Sequence, residues 1–571
     1  MVVRSPRVIA LAALGYFAAC SPDSRPPKAP AEPADLVLLG GAVYTVDAAR
    51  SWATSVAVRK GRIVYVGTEP PAAELIGPAT EVVELAGRMV LPGFQDAHVH
   101  PVSSGTDLAE IQLDTFTTAN AAVAAIGRYA ESHAESKWIR GAGWQLPLFS
   151  EANPSKELLD RVVPDRPALL WAADGHSAWV NSRALTLAGI TRDTRDPPNG
   201  RIERDRRTGE PSGTLRETAV DLVADSLPER TAGERSEGLA RAQKLANSFG
   251  ITTVFAADEG ESELEAYARA DSAGTLSFRV VAALATGGDT GISTLLTRLR
   301  EWRARFTSAH VRPIAVKLFA DGVIESGTAA LLQPYLDRHG DAGSPNYTQS
   351  TLDRLVTDLD RDDFQVHVHA IGDRAIRMTL DAFERARSRN GVHDSRHSIA
   401  HLELIDPADI PRFRSLGVIA NFEALWANGD DYLTRLTEPA LGPGRSRWLY
   451  PIASVVQTGA IVTGGSDWSV SSLNPLDAIE MGVTHLDPAR PGMAPWHPIE
   501  RVDLPTMVAL YTINAAYAHR QERETGSIEV GKLADLQILD RNLFAVPADS
   551  IHLVHVMRTL LAGKTVYERT K

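Results

Sequence analysis

Two histidines separated by one residue follow an apolar run in the first fifth of the chain. The segment L-P-G-F-Q-D-A-H-V-H spans residues 91–100 and ends in His98 and His100. Residues i and i+2 of a β-strand point to the same face, so both imidazoles would face the same side. Paired imidazoles at a strand end are suited to binding a transition metal. The pair therefore predicts a metalloenzyme, provided that further ligands end other strands.

Residues of ligand type recur near the ends of later strand-like segments. They are Lys317 and Asp321 in A-V-K-L-F-A-D-G, His367, His369 and Asp373 in V-H-V-H-A-I-G-D, His401 in S-I-A-H-L-E, and Asp467 in V-T-G-G-S-D-W. Lys317 lies in an apolar run, where an unpaired ammonium group is costly to bury. We expect only one histidine of the fifth segment to bind metal. We favour His369 over His367 because His369 directly precedes the A-I-G-D loop.

Strand-like and helix-like segments alternate through the middle of the chain, which is typical of a parallel α/β fold. Eight strands are predicted, at residues 90–98, 251–256, 279–285, 314–319, 364–369, 398–402, 418–422 and 460–464. Eight such units indicate a (β/α)8 TIM barrel, whose active site lies at the carboxyl ends of the strands. The long gap after the first strand predicts an inserted subdomain at about 103–245, because loops of that length rarely lack structure.

Both ends of the chain are rich in short β-segments broken by glycine. We predict that residues 35–90 and 520–571 form one small β-sandwich, built from both chain ends. The barrel domain would then occupy residues 91–519.

At this point the chain resembles the amidohydrolase superfamily and, within it, amidohydrolase family 3, which includes N-substituted formamide deformylases. The resemblance is carried by L-P-G-F-Q-D-A-H-V-H and by the motifs at 174–185 (D-G-H-S-A-W-V-N-S-R-A-L), 250–254 (G-I-T-T-V), 316–322 (V-K-L-F-A-D-G), 367–373 (H-V-H-A-I-G-D), 465–468 (G-S-D-W) and 526–536 (G-S-I-E-V-G-K-L-A-D-L). Two positions depart from the family's pattern, since Ala400 stands where Glu is frequent and Ser469 where Pro is frequent.

The resemblance implies a set of metal ligands. These are His98, His100, Lys317, His369, His401 and Asp467. It also implies that Lys317 is carboxylated and bridges two divalent ions. Zinc is the default for nitrogen and oxygen ligands, although Mn, Fe, Co or Ni would also fit. A site with one metal ion and an unmodified lysine is the alternative.

The implied reaction is hydrolysis of a C–N amide bond in a small N-acyl or N-formyl amine or an N-acyl amino acid. A hydroxide that bridges the metal ions would attack the amide carbon, and Asp467 would carry its proton to the leaving amine. Two alternatives stay open at this point. The same residues could hydrolyse a lactone, an ester or a cyclic amide, or the scaffold could be a retired enzyme that only binds.

Other residues are candidates for contacts with substrate or for hydrogen bonds to the ligands. They are His176, Glu217, Asp321, Asp373, Trp144 and Trp468. Several tryptophans, Trp426 among them, fall near predicted loop ends and suggest an apolar or aromatic substrate group.

The start of the chain predicts export. Residues 1–19 combine Arg4 and Arg7 with an apolar run too short to span a membrane. The sequence F-A-A-C resembles a bacterial lipobox and ends in Cys20, the only cysteine of the chain. This resemblance implies a lipid anchor on Cys20, a Pro-rich tether at 20–34, and a periplasmic or cell-surface location, at the outer membrane in a Gram-negative host. An ordinary cleaved signal is the alternative.

The overall charge bears on the partners. The chain carries a net charge of −12 with 23% charged and 44% hydrophobic residues, and no basic patch offsets it. This composition is ordinary for a folded protein and argues against nucleic-acid binding. We therefore expect a small-molecule amide as the partner, membrane contact only through the anchor, and a homodimer as a candidate assembly.

Overall fold

Eight parallel strands form the central sheet of the protein, which we analysed as a computed structural model describing residues 32–287, 291–487, 490 and 492–570. In chain order they are β1 (Phe94–Val99), β2 (Ile251–Glu259), β3 (Arg279–Leu284), β4 (Val311–Phe319), β5 (Gln365–Ala370), β6 (Ser398–His401), β7 (Ile419–Phe422) and β8 (Val462–Gly464). Each strand pairs in parallel with the next. Beyond the strand ends, β8 approaches β1 through a backbone hydrogen bond of 2.8 Å from the Asp467 N–H to the His98 carbonyl. The predicted TIM barrel is confirmed.

Helices cover the outside of the barrel, so the strands are largely buried on both faces. The helices that follow the insert are Ala232–Ser248, Glu261–Ser272, Ile292–Phe306, Gln349–Arg361, Asp373–Asn390, Ile410–Leu416, Glu438–Leu441, Pro443–Ser446, Ile452–Gln457, Pro475–Thr484, Leu504–Leu510 and Ile513–Ala518. Gln349–Arg361 illustrates how they pack, since it buries Leu352, Leu355 and Leu359 at the spacing of one helical face. The Thr348 side chain caps its first turn by accepting from the Thr351 N–H.

The chain between β1 and β2 builds a second sheet with its own core, as predicted for the insert. Its six strands lie in the order Gly200–Arg204, Pro211–Glu217, Ser177–Val180, Ala168–Ala172, Ile139–Trp144 and Ile111–Gln112. Its helices are Pro101–Asp107, Ala119–Ser132, Lys156–Asp160, Ser182–Leu187 and Asp221–Ala224. Trp144 and Trp179 are fully buried in this core, with ring centroids 6.4 Å apart.

Strands from both chain ends meet in two further sheets. One has the order Lys564–Glu568, Val556–Leu561, Leu536–Leu539, Met89–Pro92, Ala42–Tyr44 and Trp52–Ala53; the other has the order Arg62–Gly67, Ser55–Arg59, Leu36–Leu39 and Glu81–Glu84. Residues from both sheets form one apolar core, which is the expected sandwich. A buried ion pair ties it to the barrel, because Arg279 at the start of β3 contacts Asp535 with an Nε–Oδ2 distance of 2.9 Å.

The first predicted strand differs from the structure in one respect. It is divided at Gly93 into Met89–Pro92, which belongs to the sandwich, and β1, which belongs to the barrel. The chain passes so close to β2 at this point that a Cβ on Gly93 would lie 2.3 Å from Thr252 Oγ1. Only glycine fits this approach.

The segments predicted to contact a membrane lie near the start of the chain. The predicted signal, the lipid attachment at Cys20 and most of the tether lie in residues 1–31, outside the described residues. Within the described ranges, no helix has the length and apolar character needed to cross a bilayer.

Candidate metal centre and active site

Strands β1 and β4 and the segment after β8 bring four predicted ligand residues together. His98 Nε2 lies 3.2 Å from Lys317 Nζ and 3.6 Å from Asp467 Oδ1. His100 Nε2 lies 3.0 Å from the same Asp467 oxygen. A tetrahedral metal with bonds of about 2.1 Å separates its ligand atoms by about 3.4 Å. The donor atoms are therefore spaced as ligands of one metal ion would be.

Strands β5 and β6 add the other two residues. The ring centroids of His369 and His401 are 4.5 Å apart, and His401 Nδ1 lies 3.9 Å from Asp467 Oδ2. His98, His401 and Asp467 are all buried, and each offers a ligand atom within 4.8 Å of the others. The two oxygens of Asp467 thus face both groups of residues, so that all six predicted ligands form one connected cluster.

The two histidines of β5 occupy different positions. His367 uses both ring nitrogens within the barrel, with Nε2 2.9 Å from His98 Nδ1 and Nδ1 2.7 Å from Ser398 Oγ. His369 instead lines the open cavity above the cluster. This geometry favours His369 as the ligand. His367 is placed to orient the His98 ring through a hydrogen bond.

The electrostatics of the cluster suit a metal ion. Burial lowers the pKa of both His98 and His369 well below the usual range, so their rings are neutral at pH 7. Burial also lowers the pKa of Lys317, to about 8. Burial acts to raise the pKa of Asp467, but the hydrogen bond and charge of His100 outweigh it and hold that pKa well below its ordinary value. Neutral imidazoles and an ionised carboxylate are the protonation states that metal binding requires.

Glu423, which the sequence patterns did not single out, lies directly after β7 beneath the cluster. It is fully buried, with Oε2 3.1 Å from His401 Nδ1 and Oε1 4.0 Å from His98 Nδ1. Oε1 has no hydrogen-bond partner. An unpaired buried carboxylate oxygen is costly unless a cation lies close by, so Glu423 independently fits a metal at this position. The rule that barrel strands end in active-site residues would have found it.

The insert contributes His176 to the mouth of the barrel. The His176 ring centroid lies 5.0 Å from that of His369, and its Nδ1 lies 2.8 Å from Glu217 Oε2. Burial acts to lower the pKa of His176, but the charge and hydrogen bond of Glu217 raise it to about 9. Glu217 also accepts a 2.5 Å hydrogen bond from Thr328 Oγ1 in the loop after β4. Of the pair His176 and Glu217, His176 lines the cavity over the cluster.

The two aspartates that were predicted near the ligands accept hydrogen bonds from backbone N–H groups of neighbouring loops. Asp321 is buried and accepts hydrogen bonds from the backbone N–H groups of Ala330, Ile371 and Gly372 at 2.8–3.0 Å. Its Oδ1 lies 3.8 Å from His369 Nε2, and burial raises its pKa to about 7. Asp321 thereby joins the loops after β4 and β5.

Asp373 begins the helix after β5 and accepts from the Leu332 N–H at 2.8 Å. It does not line the cavity. Its contacts are those of a residue that fixes the neighbouring loop.

The tryptophans divide between packing and the cavity. Trp144 donates its Nε1–H to the Leu170 carbonyl at 2.8 Å inside the insert core. Trp468 is buried, and its carbonyl accepts from Ser104 Oγ at 2.9 Å. Neither lines the cavity, whereas Trp426 does. Its ring lies parallel to that of His401 at a centroid distance of 5.6 Å and an angle of 4°.

A cavity of about 230 Å³ opens over the cluster. His176, His369, His401 and Asp467 line it. A small molecule can therefore reach the predicted ligands from solvent, beneath residues of the insert.

Comparison with known proteins gives consistent matches over nearly the whole chain. Residues 81–567 match the model of the amidohydrolase family. The chain is 32% identical over 549 residues to Protein LONG AFTER FAR-RED 3 of Arabidopsis thaliana, covering 94% of this chain and 92% of that protein. It is 30% identical over 554 residues to the N-substituted formamide deformylase of Arthrobacter pascens, covering 94% and 99%. Its fold is similar to that of an uncharacterized metal-dependent hydrolase from Pyrococcus horikoshii OT3, with a TM-score of 0.71, 22% identity, and coverage of 90% and 99%.

Proposed function

The chain belongs to the amidohydrolase family, and we propose that it cleaves the amide bond of a small N-acyl or N-formyl amine, with water, to give a carboxylic acid and a free amine. It is a hydrolase of carbon–nitrogen bonds other than peptide bonds. The relative named as an N-substituted formamide deformylase supports the substrate class. The observation that carries the proposal is the cluster around Asp467, which brings several imidazoles and a carboxylate together at the floor of an open cavity.

We infer that the cluster holds two divalent ions. His98 and His100 with Asp467 would bind the more buried ion, and His369 and His401 would bind the more exposed one. Lys317 Nζ, 3.2 Å from His98 Nε2, would contribute as a carbamate. When bound, zinc ions would act as Lewis acids and make water a nucleophile near neutral pH.

The charge expected of the metal site supports carboxylation of Lys317. Lys317 is 1% exposed, and its Nζ lies 3.2 Å from His98 Nε2 and 4.8 Å from the centroid of the Phe319 ring. A buried ammonium group would repel a dication, whereas a carbamate is an anion with two oxygens. Together with this carbamate, the nearby carboxylates of Asp467 and Glu423 would offset the positive charge of the metal ions.

The chain's own residues account for substrate orientation and proton transfer. Asp467 is ionised and lines the cavity, so it can take a proton from the attacking water and pass it to the leaving amine nitrogen. His176 also lines the cavity and is held as a cation by Glu217. It can therefore donate a hydrogen bond to the carbonyl oxygen as negative charge develops there.

A substrate panel tests this function. We expect metal-loaded enzyme to release amine and acid in equal amounts from N-formyl and N-acyl amines. Asp467→Asn should lower kcat by about 10²–10⁴-fold. Asp373→Asn is the matched control, because Asp373 follows a barrel strand without lining the cavity. Hydrolysis of lactones or esters alone, or full amidase activity in Asp467→Asn, would contradict the proposal.

A further inference from the structure

The cavity over the metal cluster is lined by acids that the proposed reaction does not use. Asp174, Glu325, Glu403 and Asp430 all line it. No lysine or arginine is found among the described residues that line it. The cavity therefore holds four carboxyl groups beyond the one that metal binding requires.

Glu403 is the most deeply buried of these acids. It lies two residues beyond β6, is 2% exposed, and its Oε1 has no hydrogen-bond partner. Its carboxyl group lies against that of Glu325, in the loop after β4. Glu325 Oε1 in turn accepts a hydrogen bond of 2.8 Å from Thr437 Oγ1. Two carboxyl groups are thus placed side by side, with no cationic side chain hydrogen-bonded to either.

The other two acids are oriented by neutral donors. Asp430 Oδ1 accepts from the Leu433 N–H at 2.9 Å. Asp174 accepts from the His176 N–H at 2.9 Å and from Ser177 Oγ at 2.7 Å. These bonds fix the carboxylates without neutralising them. Burial raises the pKa of Asp430 to about 6, although the backbone N–H groups of Leu433 and Tyr432 and the charge of Arg490 act to lower it.

The acids surround the cavity and do not form a second metal site. Across the described parts of the chain, only His98, His401 and Asp467 place three ligand atoms within 4.8 Å of one another. Aromatic side chains complete the walls, since Trp426, Tyr432 and Tyr450 line the same space. Aromatic faces next to carboxylates are the usual surroundings of a bound organic cation.

We propose that the substrate carries a cationic amine or guanidinium group, which Glu325, Glu403 and Asp430 hold beside Trp426 while its amide faces the metal cluster. This inference rests on the proposed amidase function and narrows it to monoamides of diamines and related cations. An N-acyl amino acid is a poor substrate in this account, because its carboxylate would meet negative charge on the cavity wall.

Three matched substrates test the inference on metal-loaded enzyme. They are an N-formyl monoamide of a linear diamine, an isostere with methyl in place of ammonium, and an isostere with carboxylate in that position. A hydrogen bond to a charged group is worth about 10- to 100-fold in binding. We therefore expect kcat/KM for the cation to exceed that for the neutral isostere by about 10- to 100-fold, mainly through KM, with the anion slowest.

Variants assign the preference to the acids. Glu325→Gln and Asp430→Asn should each reduce the cation-to-neutral ratio of kcat/KM about tenfold. Glu301→Gln, an exposed acid on helix Ile292–Phe306, should leave the ratio unchanged. Neutral amides that are cleaved as well as cationic ones would overturn the cation site and leave the amidase function standing.

Direct binding of n-hexylammonium, followed by calorimetry, separates the two proposals. Binding that Glu325→Gln weakens, together with no hydrolysis of any amide, would sustain the cation site and overturn the amidase function. Hexylammonium binding that is equal in wild type and Glu325→Gln would overturn the cation site.

Discussion

Replacing Glu423 by glutamine should weaken metal binding while the barrel stays folded. Glu423 is fully buried, and its two oxygens face His401 and His98 at 3.1 and 4.0 Å. Glutamine keeps the size of the side chain and one oxygen that can accept from His401. What it removes is the negative charge that faces both histidines.

The magnitude follows from what each substitution takes away. Removing a carboxylate that orients a metal-bound histidine usually costs about 10- to 100-fold in metal affinity. Since glutamine still accepts a hydrogen bond, we expect Glu423→Gln to lose about tenfold, or about 1.4 kcal/mol. Glu423→Ala loses both the charge and the acceptor, so it should lose about 100-fold, or about 2.7 kcal/mol.

Competition with a zinc chelator of known affinity measures this effect without any substrate. Glu480→Gln is the matched control, because Glu480 is also buried and accepts from His552 Nδ1 at 2.7 Å, on a helix that does not line the cavity. Thermal melting of the chelated proteins checks that each variant folds. Wild-type zinc affinity in folded Glu423→Ala would refute the role given to this residue.

Two further predictions concern stability. Burial lowers the pKa of His519 to about 3, so between pH 6.5 and 3 the unfolded chain binds a proton there that the folded chain does not, and stability falls with falling pH. Between pH 7.5 and pH 5, the free energy of unfolding of the chelated wild type should therefore fall by about 2 kcal/mol more than that of His519→Gln, as measured by urea denaturation. Equal losses in the two proteins would contradict the burial of a neutral His519. Asp535→Ala should cost about 3–5 kcal/mol because it leaves the Arg279 guanidinium buried without its partner. The double variant Arg279→Met/Asp535→Leu should recover most of this loss. An Asp535→Ala protein as stable as wild type would contradict the stabilising role given to the ion pair.

The barrel strands were predictable because strands buried on both faces are rich in apolar residues. The predicted strand at 279–285 corresponds to Arg279–Leu284, and the one at 364–369 to Gln365–Ala370. The first strand was harder, because Met89–Pro92 pairs with Leu536–Leu539 from the far end of the chain. No local pattern shows such a partner.

Part of the candidate site was also predictable from the sequence. Histidines, lysine and aspartate at strand ends stand out when they follow apolar runs, so the cluster around Asp467 could be named in advance. The acids that line the cavity could not be predicted from the sequence. The approach of Glu325 to Glu403 depends on how the long loop after β4 folds. Residue type alone also misled for tryptophan: Trp144 fills the insert core, whereas Trp426 stacks on His401.

Metal binding by His98, Asp467 and their neighbours is central to the proposed function. Metal analysis of zinc-loaded, dialysed protein by mass spectrometry tests it most directly. We predict about two equivalents of zinc per wild-type chain, as in two-metal hydrolases, and a clear loss in folded Asp467→Ala. Folded wild type that binds no zinc, or Asp467→Ala that retains the full amount, would contradict the claim.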